Sequence, residues 1–133
     1  MTKLKVAVIG AGILGSRHAR VFHEQPDCEL VGVVDIDQAR AQKIADLYKA
    51  KAFTDYNLLL KNEAVDIVSI ATPDHLHRDP VIAALNAKKH IFLEKPIATT
   101  AADSREIAEA STKAGVTMMI NYSQRYLNDY AWI

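Results

Sequence analysis

The chain of 133 residues lacks the features of a disulfide-stabilised, membrane-spanning or nucleic-acid-binding protein. It has a single cysteine, Cys28, so no disulfide can form within the chain. Its 16 basic residues are balanced by 16 acidic ones, which excludes a strongly basic surface for nucleic acid or anionic membranes. No apolar run approaches the roughly 18 residues that a membrane span requires. We therefore expect neither nucleic acid nor a membrane as a partner.

The N-terminal residues carry no pattern of an export signal. Residues 1–5 lead directly into a short apolar segment that has the length of a strand. We therefore expect a cytoplasmic protein. A chain of this length buries roughly two-thirds of its unfolded surface, so it needs no metal or disulfide to hold its fold.

Glycine is scarce too, but three of the five glycines fall within residues 10–15, which read GAGILG. This segment follows the predicted strand at 5–9, which is apolar from Val6 to Ile9, and precedes a helical pattern. Asp35 comes twenty residues after the last of the three glycines. Strand, glycine-rich turn, helix, second strand and acid together form the pattern of a dinucleotide-binding βαβ unit.

Each of the three glycines has a distinct physical role in such a unit. Gly10 permits the tight turn from strand to helix, and Gly12 lets the backbone approach a pyrophosphate. Gly15 lets the helix pack closely on the strand. The pyrophosphate is then expected at the helix N-terminus, where free N–H groups and the helix dipole favour an anion.

Segments rich in β-branched residues alternate with segments of helical periodicity along the whole chain. This alternation predicts a doubly wound α/β fold with three layers, in which helices cover both faces of a parallel sheet. We expect a Rossmann fold with six strands in the order 3-2-1-4-5-6. The predicted strands are residues 5–9, 30–35, 52–53, 67–71, 90–93 and 116–120.

Capping residues mark the ends of several predicted helices. Asp37 is expected to cap the second helix, and Asp79 with Pro80 to begin the fourth. A capping box over residues 100–103 precedes the fifth helix, which Gly115 ends. The residues predicted to face the sheet are Leu14, His18, Val21 and Phe22 on the first helix, and Ala41, Ile44, Ala45 and Tyr48 on the second.

Asp35 ends the second predicted strand, at the edge of the sheet where ligands bind in this fold. Its carboxylate can accept hydrogen bonds from the adenosine ribose and would repel a 2′-phosphate, which predicts NAD rather than NADP. Arg40, five residues on, is expected to face elsewhere. The alternative is that Asp35 only begins a turn or caps a helix, although Asp37 suits the capping role better.

Residues 71–77 follow the fourth predicted strand and read ATPDHLH. Thr72 and the backbone of this turn could line the cofactor. His77 has two equally supported interpretations, direct contact with the ligand or a packed, hydrogen-bonded position at the helix start. His75 and His77 also resemble a zinc-binding pair, which would need further ligands. His18, on the first helix, is expected to be structural or solvated.

Residues 92–96, FLEKP, place a carboxylate and an ammonium group at the end of the fifth predicted strand. Lys95 there could donate to a substrate hydroxyl or carbonyl oxygen, stabilise a developing alkoxide and take part in proton transfer. The alternative is that Glu94 and Lys95 form a surface pair beside the turn-forming Pro96. Spacing alone does not separate these two interpretations.

These motifs resemble the glucose-fructose oxidoreductase and inositol dehydrogenase family, called Gfo/Idh/MocA, along essentially the whole chain. The Glu-Lys-Pro triplet is the most specific of them. The resemblance implies an NAD-dependent oxidoreductase that acts on a sugar, polyol or related CH–OH group. The motifs are the glycine loop at 10–15 with His18, the Ala71-Thr72-Pro73 turn with His77, Glu94-Lys95-Pro96, and NYSQRY at 121–126.

The resemblance also assigns roles to individual residues. It implies that Lys95 lies at the nicotinamide, contacts the reacting hydroxyl and is therefore catalytic. It places Arg125 near the cofactor. The full set of predicted cofactor-binding residues is Gly10, Gly12, Ile13, Leu14, Gly15, Asp35, Ile36, Ala71, Thr72, Pro73, His77, Glu94, Lys95 and Arg125.

The chain departs from the family in length, because family members carry a second domain that supplies the substrate pocket and an Asp-x-x-x-His pair. We expect residues 1–122 to be the NAD(P)-binding domain and residues 123–133 to begin a connector to that missing C-terminal domain. The open face is expected to drive self-association. The alternatives are an NAD-sensing regulatory module or a fold fragment without catalysis. The aromatic residues expected on the open face are Tyr122, Tyr126, Tyr130 and Trp132.

Overall fold

The computed structural model describes residues 2–127 and contains one sheet of six parallel strands. The strand order is β3-β2-β1-β4-β5-β6, which confirms the predicted topology. All six strands lie where periodicity predicted them, with ends that differ by one or two residues. They are β1 (Leu4–Ile9), β2 (Cys28–Val34), β3 (Lys51–Phe53), β4 (Ile67–Ile70), β5 (His90–Glu94) and β6 (Met118–Asn121).

Five α-helices connect the strands and cover both faces of the sheet. Short 3₁₀ turns follow β4 and β6, at Asp74–Leu76 and Ser123–Tyr126. Within residues 2–127, no helix has both the length and the apolar character that crossing a membrane requires. The helices are α1 (Ile13–Glu24), α2 (Gln38–Tyr48), α3 (Tyr56–Asn62), α4 (Arg78–Asn86) and α5 (Ala101–Ala114).

The sheet separates two hydrophobic clusters, one on each face. Along β1, Ala7 and Ile9 belong to the larger cluster, whereas Val8 belongs to the smaller one. Successive side chains of a strand point to opposite faces, so a strand that is buried on both faces must be apolar throughout. This explains why β1 is apolar without interruption from Val6 to Ile9 instead of alternating.

The predicted buried face of α1 is only partly correct. His18 is buried, but Leu14 and Val21 are 42% and 45% exposed. The small residues Gly15 and Ala19 lie against the sheet in their place. The helix approaches the sheet so closely at Gly15 that no large side chain fits between them, and hydrophobicity alone could not reveal this.

The predicted signals of α2 and α5 are confirmed. Ala41 and Ala45 are the buried residues of α2, as predicted. The Asp37 carboxylate accepts hydrogen bonds from two backbone N–H groups at the start of α2, and the Thr100 hydroxyl accepts one from the Asp103 N–H at the start of α5. Gly115 ends α5 in the left-handed conformation, with φ of 67°.

The fourth helix begins at Arg78, one residue before the predicted start at Asp79. The Arg78 guanidinium donates to both carboxylate oxygens of Glu106 on α5, at 2.8 and 2.7 Å, and to Asp79 at 2.7 Å. The hydrogen bonds to Glu106 raise the pKa of the Arg78 guanidinium the most, and the hydrogen bond to Asp79 raises it further. Arg78 therefore links α4 to α5.

The close approach of α1 to the sheet predicts a difference between two glycine-to-alanine substitutions. A Cβ at Gly15 would overlap the carbonyl oxygen of Gly10, whereas a Cβ at Gly12 meets nothing within 4 Å. We expect Gly15→Ala to lower the free energy of unfolding by about 3 kcal/mol or more. The matched control Gly12→Ala should change it by less than about 1 kcal/mol. Thermal unfolding measures both, and equal stabilities would contradict the proposed packing role.

Candidate functional site

The predicted site residues gather at the edge of the sheet formed by the carboxyl ends of β1, β2, β4 and β5. Gly10 follows β1 and adopts a φ of 96°, a conformation that favours glycine. A Cβ at Gly10 would lie 2.7 Å from the carbonyl oxygen of Ala71, at the end of β4. Gly10 is thus required both for the turn and for the close approach of the two strand ends.

Gly12 borders open space at the start of α1. It precedes the first helical residue with an extended backbone, and no side chain caps the helix there. Helix N-termini carry backbone N–H groups without intrahelical partners, together with a partial positive charge. The arrangement matches the predicted role of Gly12, since the helix end is open to an anion.

Asp35 is buried at the end of β2, and its carboxylate shapes the turn around it. One oxygen accepts a hydrogen bond from the Ala11 N–H at 2.8 Å, and the other accepts one from the Asp37 N–H at 2.8 Å. Asp35 therefore does form the turn contact that the alternative interpretation required. The contact with Ala11 also joins the end of β2 to the glycine loop.

The expectation that Arg40 faces elsewhere is wrong. Its guanidinium lies 3.3 Å from a carboxylate oxygen of Asp35 and 3.2 Å from one of Asp37. Because Asp37 caps α2 and also accepts the backbone N–H of Arg40, the helix begins with Arg40 turned back towards the end of β2. The spacing of Asp35 and Arg40 in the sequence did not predict that the Arg40 side chain turns back towards Asp35.

Three apolar side chains predicted to contact the cofactor are exposed to solvent. Ile36, directly after Asp35, is 88% exposed, and Ile13 is 77% exposed at the start of α1. Leu14 also points away from the core. Their exposure leaves them available to cover the apolar surface of a ligand bound at this edge.

Thr72 presents a polar group without a partner. Its Oγ1 is the buried side-chain oxygen that lacks a hydrogen bond within the described residues. Buried polar atoms are satisfied in most structures, and an ordered water, an ion or a ligand can each supply such a missing partner. The cofactor role of Thr72 stays a prediction.

His77 is a packed residue, which favours the second of its two interpretations. It is 1% exposed, and its ring nitrogens lie 2.8 Å from the Pro96 carbonyl oxygen and 3.0 Å from the Thr72 carbonyl oxygen. Both nitrogens face backbone carbonyl oxygens, and a neutral ring has one N–H, so His77 donates to one of the two turns and packs against the other. Within residues 2–127, no group of three or more potential ligands that includes His75 or His77 is arranged around a metal position.

Lys95 is exposed at the end of β5 and borders an open cleft of about 420 Å³. Its ammonium group forms no ion pair with the described residues, so the alternative of a Glu94–Lys95 surface pair is not supported. Arg125 lies in the same cleft, with its guanidinium 5.8 Å from the ring centre of Tyr122. The cleft is lined by Lys95, Asn121, Tyr122, Ser123, Gln124 and Arg125.

Sequence reasoning missed the role of His18. Its ring is buried, with Nδ1 2.9 Å from Ser69 Oγ and Nε2 3.0 Å from a carboxylate oxygen of Glu94. The available signal was its spacing, because His18 lies three residues after Gly15, on the same face of α1. A polar residue on the face that packs closely on the sheet must find buried partners.

Two of the predicted exposed aromatic residues are indeed exposed, namely Tyr122 and Tyr126. Tyr130 and Trp132 lie outside the residues that the structure describes. Self-association through this surface therefore stays a prediction, as does the division into a domain at 1–122 and a connector at 123–133.

Comparison with known proteins shows the family of this chain. The sequence pattern of an oxidoreductase family with an NAD-binding Rossmann fold matches residues 4–122. The chain belongs to the Gfo/Idh/MocA family. The predicted resemblance is thereby confirmed, and the chain is the NAD-binding Rossmann domain of this family.

Members of the Gfo/Idh/MocA family are similar to this chain in sequence and in structure. An inositol 2-dehydrogenase of Salmonella typhimurium is 40% identical over 131 residues, covering 96% of this chain and 39% of that protein. The crystal structure of an NAD binding oxidoreductase from Klebsiella pneumoniae is 31% identical, with a TM-score of 0.89 over 98% of this chain and 37% of its own.

A further structure shows a related domain with its ligands. The WlbA dehydrogenase from Chromobacterium violaceum, in complex with NADH and UDP-GlcNAcA, is 26% identical with a TM-score of 0.94. The match covers 99% of this chain and 39% of that one. The chain thus spans about two-fifths of the length of each of these three relatives.

The open space at Gly12 predicts that a larger side chain there blocks the ligand without harming the fold. We expect Gly12→Val to weaken NADH binding by at least about 100-fold, because its methyl groups would occupy the space of the pyrophosphate. Its thermal unfolding should stay close to that of the parent chain. Fluorescence titration with NADH measures the affinity, and unchanged affinity would show that the loop is only a turn.

Proposed function

We propose that this chain is the cofactor-binding part of a dehydrogenase that moves hydride between NAD and a CH–OH group of a sugar or polyol. The observation that carries the proposal is the exposed Lys95 ammonium at the carboxyl end of β5, beside an open cleft and without an ion pair among residues 2–127. The names of the relatives support the substrate class, since one is an inositol dehydrogenase and another binds a nucleotide sugar.

The residues of the sheet edge suit the parts of a dinucleotide. The open helix end at Gly12 would bind the pyrophosphate, the carboxylate of Asp35 the adenosine ribose, and Thr72 Oγ1 a further polar group. When bound, the cofactor supplies the hydride chemistry, and the protein supplies position and charge.

Lys95 is the residue we propose as catalytic. Its ammonium group can donate a hydrogen bond to the oxygen of the reacting CH–OH group and stabilise the negative charge that develops there. It can also exchange a proton with that oxygen. A regulatory NAD sensor would have no need for a free ammonium group at this position, which favours the enzyme over the sensor.

We further propose that the site prefers NAD to NADP. A 2′-phosphate on the adenosine ribose would meet the buried carboxylate of Asp35. Arg40 does not remove this repulsion, because its single charge is shared between Asp35 and Asp37. The next residue, Ile36, offers no charge to a phosphate.

This proposal predicts that cofactor preference can be reversed by two substitutions. Asp35→Ser removes the repulsion, and Ile36→Arg adds a cation at an exposed position. We expect the double variant to bind NADH at least about tenfold more weakly and to gain NADPH binding. Calorimetric titration of both cofactors checks this. Equal or tighter binding of NADPH by the parent chain would contradict the proposed preference.

The role of Lys95 can be tested in a fusion of this chain with the remaining part of the Salmonella inositol dehydrogenase. We expect the fusion to form NADH with inositol or another polyol, and Lys95→Ala to lower kcat by roughly 10²- to 10⁴-fold with little change in NAD affinity. Residues 1–133 alone should bind NADH without turnover, because hydride transfer needs a substrate held against the nicotinamide.

Lys113→Ala is the matched control for this experiment, because Lys113 is an exposed lysine in the last turn of α5. It should leave kcat and affinity unchanged. Full activity of the Lys95→Ala fusion would remove Lys95 from the mechanism. Robust turnover by residues 1–133 alone would show that the proposed division of roles between the two domains is wrong.

A further inference from the structure

We propose that His18 and Asn121 are positioning residues for Lys95, and that they act through the buried carboxylate of Glu94. The importance of Lys95 itself rests on the proposed function above. The positioning is carried by a hydrogen-bond network that joins one helix to three strands beneath the cleft. Its members are His18 on α1, Ser69 on β4, Glu94 on β5 and Asn121 on β6.

Glu94 is the centre of this network. It is 6% exposed, and one of its oxygens lies 3.0 Å from His18 Nε2 and 2.7 Å from Asn121 Nδ2. Its other oxygen accepts the backbone N–H of Lys95 at 3.2 Å. Three donors are thus directed at two oxygens, an arrangement that the ionised carboxylate satisfies because it only accepts. Hydrogen bonds to a charged group are stronger than neutral ones.

His18 completes the network through both of its ring nitrogens. With its proton on Nε2, the ring donates to Glu94 and leaves Nδ1 to accept the hydroxyl proton of Ser69. The ring also packs on Phe92 of β5, with 5.3 Å between the ring centres. In this tautomer both ring nitrogens have partners, and the ring holds the Glu94 carboxylate in place.

A serine, a histidine and a glutamate in contact also suggest a hydrolytic triad, but the geometry excludes that chemistry. Ser69 is completely buried and its Oγ faces the ring of His18, so no substrate can reach it. The three residues instead support the residue that follows Glu94. Lys95 is held by its backbone N–H while its side chain lines the cleft.

The contacts of Glu94 therefore fix the backbone position of Lys95 without a contribution from a ligand. Asn121 is the register partner of Glu94 across β5 and β6, so its amide reaches the carboxylate without bending either strand. On the other side of Lys95, the Pro96 carbonyl oxygen lies 2.8 Å from His77 Nδ1. The lysine thus sits between two partly buried contacts, which limit the positions that its side chain can sample.

Two substitutions at His18 separate the positioning role from general packing. His18→Gln keeps a donor near the position of Nε2, and His18→Asn keeps only an acceptor near the position of Nδ1. We expect His18→Asn to speed exchange of the Lys95 amide proton at least about tenfold and to shift its resonance in a spectrum of ¹⁵N-lysine-labelled chain. His18→Gln should retain most of the parent signal.

His23→Asn is the control, since His23 is an exposed residue of the same helix and lies outside the network. It should leave the Lys95 amide unchanged. Asn121→Ala provides a second test should His18→Asn fail to fold, with the same expected direction at Lys95. An unchanged Lys95 amide in a folded His18→Asn or Asn121→Ala variant would overturn the proposal, as would equal effects of the Gln and Asn substitutions.

These measurements are made without cofactor, so they do not depend on whether the chain binds NAD. NADH titration of the same variants then tests the proposed function separately. If the parent chain fails to bind NADH, the proposed function fails while the positioning network stands. If the chain binds NADH but the Lys95 amide signal does not change on substitution of His18 or Asn121, the positioning proposal is wrong and the proposed function is unaffected.

Discussion

The close approach of α1 to the sheet is the constraint on which the rest of the structure depends. Gly15 lets the helix backbone lie against the turn at Gly10, and Gly10 in turn lets that turn lie against Ala71 at the end of β4. Side chains at either position would push the helix or the strand end outward. The helix N-terminus would then no longer point at the edge of the sheet, and His18 would no longer reach Ser69 and Glu94.

Most of the fold could be predicted from the sequence because the signals are local. The strands follow from β-branched runs, and the ends of α2 and α5 follow from Asp37, Thr100 and Gly115 within a few residues of each boundary. The face of α1 was predicted less well. Its burial depends on the distance between backbones, which favours small residues and exposes Leu14 against its hydrophobicity.

The sequence predicts where in the fold the candidate site lies, but it does not predict which side chains contact one another there. Gly12, Thr72 and Lys95 were predicted to lie at one edge of the sheet because turns after parallel strands converge there, and the structure places them at that edge. The contacts of His18 were missed because its partners Ser69 and Glu94 lie 51 and 76 residues away along the chain. Arg40 was misjudged for a related reason, since a helix cap turns its side chain back towards Asp35.

The strand order has a consequence for synthesis of the chain. β1 is made first but lies between β2 and β4, and its residue Val6 pairs with Ile67. At about 5 to 20 residues per second, the ribosome needs roughly 3 to 12 seconds to deliver that partner after β1. During that interval a strand that is apolar on both faces lacks half of its hydrogen bonds. The nascent chain therefore passes through a stage in which chaperone binding or aggregation competes with closure of the sheet.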